Sequence, residues 1–161
     1  MPLQAAPHIA IGDLRLYLAN SGITVAGPLK EYLPSGETLE NWNHLASVRI
    51  FKNLTDPDAY LEGLGKQVVK KDPAARYQIL KNGSGLTVLD FLAFSDPSIP
   101  KPYAEWNLMK ATYIPGEGLV LYQFAMRIYA IDGTLPQRIN DERLKMLTAF
   151  AQATYAEADG N

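Results

Sequence analysis

Two side chains of this sequence are candidates for acid–base chemistry, Asp90 and His44. Asp90 lies in the middle of the predicted strand 86–94 and shares a face with Val88, so it needs a charged or hydrogen-bonded partner there. His44 shares a strand face with Val48. For Asp90 we expect a structural ion pair or simple exposure to solvent, and for His44 a hydrogen-bonded core position. An acid–base enzyme would require the two side chains to converge in one cleft.

A second set of candidates lies on the last predicted hairpin, where polar and aromatic residues share a face. A four-residue turn at 115–118 would pair Ile114 with Leu119 and thereby fix the register of the two strands. One face of the hairpin then suits a protein partner or a ligand, although a solvated sheet face has the same composition. This candidate binding surface consists of Trp106, Lys110, Gln123 and Arg127, with Trp42 at its edge.

The opposite face of the same hairpin is apolar and is expected to form the core. A cavity of roughly 300 Å³ or more between this face and the C-terminal helix would allow a different function, the carriage of a small apolar or amphipathic ligand. Such a pocket would be lined by Tyr113, Tyr122, Phe124 and Met126.

Several other kinds of site lack the residues that they need. The chain has no cysteine, which rules out disulfides, thiolate metal sites and a cysteine nucleophile. Its two histidines, His8 and His44, are too far apart in sequence for a zinc-binding His-x-x-x-His motif. Nucleophile-elbow, phosphate-loop and dinucleotide motifs are absent, and we expect Gly63-Leu64-Gly65 to pack a helix closely on the sheet. We therefore predict no metal and no cofactor.

Size and charge limit the possible partners. The chain has 161 residues, 47% of them apolar, which is enough for one domain with a sizeable core. With 17 acidic and 15 basic residues, it lacks the positive charge of a nucleic-acid-binding protein. No stretch approaches the ~18 consecutive apolar residues of a membrane span. We expect neither nucleic-acid binding nor membrane insertion.

The first residues bear on localisation. Residues 1–7 lack the basic and hydrophobic regions of an intact signal peptide. Their Ala, Gln and Pro content resembles the mature end left after signal cleavage, behind an added Met1. We expect a periplasmic or secreted protein, with a cytoplasmic location as the alternative.

The elements that position the candidates follow from hydrophobic periodicity and from turn residues. Residues 1–10 are expected to form a flexible arm, and 11–158 a single α+β domain. A turn is predicted at 20–22 and a helical turn at 38–42. Strands are predicted over 13–18, 29–33, 44–52, 76–80, 86–94, 105–114 and 119–130, and helices from Asp56-Pro57 to Asp72-Pro73 and over 140–156.

A short segment carries a resemblance to known proteins. Gly36-Glu37-Thr38-Leu39-Glu40-Asn41-Trp42, followed by a strand and a helix, resembles a pattern in uncharacterised exported bacterial proteins. The element order over 28–157 is similar to the Mog1/PsbP-like fold. The resemblance implies an α/β/α sandwich, with a central antiparallel sheet of about six strands flanked by helices. In Mog1 and PsbP that fold serves protein–protein binding, to a small GTPase and to a photosystem.

These observations lead to a non-enzymatic exported domain that binds a protein partner or a small molecule. The main alternative is the ligand carrier with a pocket between helix and sheet.

Overall fold

One antiparallel sheet dominates the computed structural model, which describes residues 8–155. Within this range the sheet has eight strands in the order β1-β2-β3-β4-β8-β7-β6-β5, and two helices pack on it. The chain thus forms two four-stranded meanders that join where β4 pairs with β8. In chain order the elements are β1 (His8–Ile11), β2 (Leu14–Ile23), β3 (Pro28–Leu33), β4 (His44–Phe51), α1 (Pro57–Lys71), β5 (Arg76–Lys81), β6 (Thr87–Phe94), β7 (Ala104–Ile114), β8 (Gly118–Ile128) and α2 (Leu135–Gln152).

The two helices pack on opposite faces of the sheet. The face under α2, called the α2 face, carries the larger core, with Leu108 and Phe124 fully buried beneath Phe150. The other face, called the α1 face, carries a smaller core around Leu89 and Leu61. Because α1 packs mainly on β5, β6 and β7, the smaller core lies over these strands on the α1 face.

Helix α1 begins and ends where the sequence predicts. The Asp56 carboxylate accepts a hydrogen bond of 3.1 Å from the Ala59 amide, and Pro57 occupies the first turn. Asp72 ends the helix in an extended conformation. Gly65 faces the sheet, where a Cβ would lie 2.6 Å from the Tyr77 ring, so this glycine permits the close packing that we predict.

Helix α2 begins five residues earlier than predicted. It starts at Leu135 with Pro136 in its first turn, and the Asp132 carboxylate accepts a hydrogen bond of 2.8 Å from the Thr134 amide. Leu135 and Ile139 are both buried against the sheet. The early start places an apolar turn of helix over Trp106.

The expected sandwich of about six strands between helices, of the Mog1/PsbP-like kind, is wrong. Between residues 8 and 155 the structure has one eight-stranded sheet with only two helices, and α1 packs mainly on three strands, β5–β7, with Tyr60 also against Phe51 of β4. β1 is not predicted because its four residues are too few to show a strand pattern, and the second half of β2 is not predicted because Ala19-Asn20-Ser21-Gly22 are small or polar. The predicted turn at 20–22 lies inside β2, and the predicted helical turn at 38–42 is a tight non-helical turn with a bridge between Thr38 and Asn41.

Part of the flexible arm expected at residues 1–10 belongs to a strand. Residues 1–7 of that arm lie outside the described residues, but His8–Ile11 form β1, with Ile9 and Ile11 buried in the core under α2. The prediction of a single domain over 11–158 stays a prediction, and its last three residues also lie outside the described range. Between residues 8 and 155, neither helix combines the length and the apolar character that crossing a membrane requires.

Candidate functional site

The register of the β7–β8 hairpin separates the predicted binding residues. Ile114 pairs with Gly118 rather than with Leu119, so the loop has three residues instead of four. Gly118 has a φ of +114°, and a Cβ there would lie 2.4 Å from the Phe51 carbonyl oxygen. A shift of one residue moves one strand's side chains to the other face. Of the five candidates, Trp106 and Lys110 lie on the α2 face, whereas Trp42, Gln123 and Arg127 lie on the α1 face.

Lys110 has a structural task on the α2 face. Its Nζ donates hydrogen bonds of 2.7 Å to the carbonyl oxygens of Phe150 and Ala153, at the C-terminal end of α2. The carbonyl groups of a last helical turn have no partner within the helix, and a cation there is favourable. Burial lowers the pKa of Lys110 from 10.5 to about 8. The side chain fastens α2 to the sheet and is not part of an open surface.

Trp106 lies under α2 next to Asp90, and both are buried. The indole Nε1 donates to Asp90 Oδ1 at 2.8 Å, and the Gln78 amide donates to Asp90 Oδ2 at 3.0 Å. Arg143 of α2 forms an ion pair with the same Oδ2 at 2.5 Å. This is the structural ion pair expected for Asp90, and Arg143 is a partner that sequence analysis did not identify.

A cleft of about 440 Å³ opens beside this cluster, between α2 and strands β5–β7. We call it the Trp106 cleft. Its floor is apolar and consists of Leu92, Phe94, Trp106, Leu135 and Ile139. Its rim is polar and consists of Arg76, Gln78, Asn140 and Arg143.

The ligand pocket predicted from sequence has a different lining from this cleft. Tyr113 lies on the α1 face and is 43% exposed, and Phe124 is fully buried in the core. Tyr122 packs against Tyr155 with ring centroids 5.0 Å apart. Tyr113 borders a cleft near Gly118 and Met126 borders a different one, but neither cleft is lined by any other of the four predicted residues.

This second cleft, of about 590 Å³, lies on the other side of α2 and contains His44. Burial lowers the pKa of His44, against the opposing pull of Glu37 and Glu142. His44 stacks on Phe124 at 6.0 Å. Asp90 is on the same sheet face, but β7 and β8 lie between their strands, and neither the Trp106 cleft nor the His44 cleft is lined by both side chains. The convergence that an acid–base enzyme would need is not observed.

Arg127 forms the centre of a group on the α1 face that we call the Arg127 stack, with Trp42 and Tyr103. Its guanidinium carbon lies 4.1 Å from the centroid of the Trp42 ring and 4.0 Å from that of Tyr103. The two rings therefore sandwich the flat cation. In the register predicted from the sequence, with Ile114 opposite Leu119, Arg127 would face Trp106 across the hairpin, whereas the structure places Trp42 beside it.

Gln123 belongs to a polar row across the middle of the α1 face. Ser47 donates to Gln123 Oε1 at 2.9 Å, and Gln123 Nε2 donates to Asn107 Oδ1 at 2.7 Å. Ser47 and Asn107 are buried, so the row satisfies polar groups inside the sheet surface. It holds the three strands together and carries no titratable group.

Comparison with protein-family models gives a match for this chain. Across residues 8–155, no group of three or more histidine, aspartate or glutamate side chains is placed to hold a metal ion. A search of curated proteins finds no match. A family model matches residues 8–155, more than half of the chain. The chain therefore belongs to that family, whose function is unknown.

Proposed function

We propose that this protein is a binding domain without catalytic chemistry, and that it holds a small amphipathic molecule in the Trp106 cleft. The observation that carries the proposal is the division of this cleft into an apolar floor and a polar rim. Small-molecule sites typically enclose 300–1,000 Å³ and combine apolar walls with a few placed polar groups. At about 440 Å³, the Trp106 cleft is within that range.

The rim favours an anionic head group over a cationic one. Arg143 donates to Asp90 but is 35% exposed, so part of its guanidinium faces the opening. Arg76 uses Nη1 to hold the carbonyl oxygens of Pro73 and Ala75, and its side chain is otherwise exposed. The two guanidinium groups exceed the single Asp90 carboxylate by one charge. A ligand with an apolar tail and a carboxylate or sulfonate group would match both the apolar floor and the positively charged rim of the cleft.

The larger cleft around His44 suits such a ligand less well. Its lining includes side chains of both charges, and most of them come from the exposed side of α2. An apolar tail placed there would remove these charges from water without a compensating partner. The charged side chains of that lining are Asp13, Arg138, Asp141, Glu142 and Lys145.

Filling the mouth of the Trp106 cleft tests the proposal. Asn140 is an exposed rim residue on α2, so Asn140→Trp narrows the opening without a change in the core. Leu144, on the same helix, is 75% exposed and lines neither of the two clefts described above, which makes Leu144→Trp a matched control. The probe is 8-anilinonaphthalene-1-sulfonate, an amphipathic anion whose fluorescence rises in an apolar site, and octanoate serves as the competitor.

We expect saturable binding of the dye to the wild-type protein and its displacement by octanoate. Asn140→Trp should weaken the dye affinity by about tenfold or more, the equivalent of ~1.4 kcal/mol, whereas Leu144→Trp should leave it unchanged. Equal dye affinity in the two variants would refute the cleft as the binding site. Export to the periplasm is a further part of the proposal, and cell fractionation of the producing organism would test it.

A further inference from the structure

We infer a second binding site on the α1 face, where the guanidinium of Arg127 receives a carboxylate group. The site lies across the sheet from the Trp106 cleft and does not depend on the function proposed for that cleft. It rests on how the Arg127 stack holds its cation. Trp42 covers one face of the guanidinium at 4.1 Å and Tyr103 covers the other at 4.0 Å, so the group is fixed in position before any ligand arrives.

The cation in this stack has no hydrogen-bonded partner of its own. Among residues 8–155, no side chain or carbonyl group accepts a hydrogen bond from the Arg127 guanidinium, and its Nε is buried without any acceptor. A buried donor without a partner is rare in native proteins and calls for an explanation. Within the same residues the two Nη groups also lack an acceptor and are not fully buried, so an acceptor supplied by a bound ligand can reach the guanidinium there.

The geometry selects the shape of that ligand. Because rings block both faces of the guanidinium, a ligand must approach in the plane of the group, along its N–H edge. A carboxylate fits this approach, since its two oxygens can accept parallel hydrogen bonds from a planar guanidinium. A lysine at this position would keep the charge but lose the planar fork.

The surroundings make the stack rigid and add a second positive charge. Tyr129 Oη donates to the Trp42 carbonyl oxygen at 2.6 Å, which fixes the backbone beside the ring. The Tyr103 and Tyr129 rings meet edge to face at 6.0 Å, and Lys101 Nζ lies 4.1 Å from the centroid of the Tyr129 ring. Lys101 thus brings a second cation to the same group of rings.

The chain's own carboxyl group at this place is Glu105, which pairs with Arg127 across β7 and β8. Burial raises the pKa of Glu105, although Arg127 pulls in the opposite direction. The two side chains form no ion pair within 4.0 Å. Glu105 is therefore an incomplete counterion, and a carboxylate from another molecule would compete with it.

The test uses the full chain, labelled with ¹⁵N, and follows the Arg127 Nε–Hε and Trp42 indole signals by NMR. Sodium acetate is titrated against sodium chloride at equal ionic strength. We expect a saturable shift of both signals with acetate and no comparable shift with chloride.

An N-acetylated, amidated tetraglutamate peptide distinguishes two sources of the carboxylate group. Binding about tenfold tighter than acetate would indicate carboxylates carried on a protein chain, and equal affinity per carboxylate would indicate a free small acid.

Two variants complete the test. Arg127→Lys should weaken acetate binding, read from the Trp42 indole signal, by about tenfold or more because the planar fork is lost. Glu105→Gln should strengthen it, because the internal competitor is removed, and this variant stays informative if Arg127→Lys fails to fold. Shifts that chloride reproduces, or acetate binding that is unchanged in both variants, would overturn the inference.

Discussion

The indole nitrogen of Trp106 donates a hydrogen bond of 2.8 Å to the carboxylate of Asp90, one strand away on the same sheet face. Gln78 and Arg143 complete the surroundings of that carboxylate, so its oxygens are held by three donors. This arrangement makes Asp90 a structural counterion for α2. It also orients Trp106 as part of the floor of the proposed ligand cleft.

Replacing the buried carboxylate should therefore affect stability. Asp90→Asn removes the charge that faces Arg143 and turns one acceptor into a donor, which faces other donors. We expect a loss of about 2–4 kcal/mol in the free energy of unfolding, because a buried polar group then lacks a partner. Urea denaturation measures this loss of stability. Asp13→Asn, at an exposed position, is the control, and we expect it to change the free energy of unfolding by no more than about 0.5 kcal/mol. If Asp90→Asn also lost less than about 0.5 kcal/mol, the structural role assigned to Asp90 would be contradicted.

The two glycines of α1 offer a matched pair of substitutions. Alanine favours a helix over glycine by about 1 kcal/mol, so Gly63→Ala, in open space, should stabilise the protein by about 0.5–1 kcal/mol. Gly65→Ala places a Cβ 2.6 Å from the Tyr77 ring and should destabilise it by about 1–2 kcal/mol despite the same gain in propensity. Thermal unfolding of both variants decides the matter, and equal stabilisation by the two would show that α1 packs less closely than the structure has it.

Lys110 should make stability depend on pH in the alkaline range. Its pKa is about 8 in the folded protein against 10.5 for an unperturbed lysine, because burial disfavours the charge. Between these values the unfolded chain binds more protons, so the contribution of Lys110 to the free energy of unfolding rises with pH from about 8 to 10.5. The neutral amine still has two N–H groups for Phe150 and Ala153, so the hydrogen bonds that it donates can persist.

The measurement compares wild type with Lys110→Met by urea denaturation at a series of pH values. The difference in stability, wild type minus variant, should increase from pH 8 to pH 10.5. The exposed Lys66 supplies the control, since Lys66→Met should give a difference that stays flat over the same range. A difference for Lys110→Met that is flat, or that falls with pH, would mean that the buried amine keeps its proton.

Local chemistry was enough to predict α1 and the β5–β6 hairpin. An aspartate cap with a following proline determines where α1 begins, and the turn 82–85 determines the hairpin. The face of β4 that carries His44 and Val48 was also predicted correctly, because alternation alone determines it.

The β7–β8 register could not be predicted from the turn sequence. Pro115-Gly116-Glu117-Gly118 is compatible with a loop of three or four residues, and both glycines have positive φ. The choice depends on the close approach of Gly118 to the backbone of Phe51, a contact between distant parts of the chain. That single residue decides whether Trp106 faces Arg127 or lies under α2, and with it the composition of the candidate site.

The Trp106 cleft was missed because the start of α2 was placed too late. A helix that begins at 140 excludes Leu135 and Ile139 and places Arg143 in its first turn. The pattern Thr134-Leu135-Pro136, with proline in the first turn, could have indicated the true start.

The most direct test of the proposed function uses the chain's two tryptophans, which lie on opposite sides of the sheet. Octanoate, an amphipathic anion, is titrated into the ¹⁵N-labelled protein while the indole signals of Trp106 and Trp42 are followed. If the ligand occupies the cleft, the Trp106 signal shifts saturably, because its ring forms part of the floor, and the Trp42 signal follows only the shift that acetate alone produces. An unchanged Trp106 signal at saturating octanoate, whatever the Trp42 signal does, would contradict the proposal.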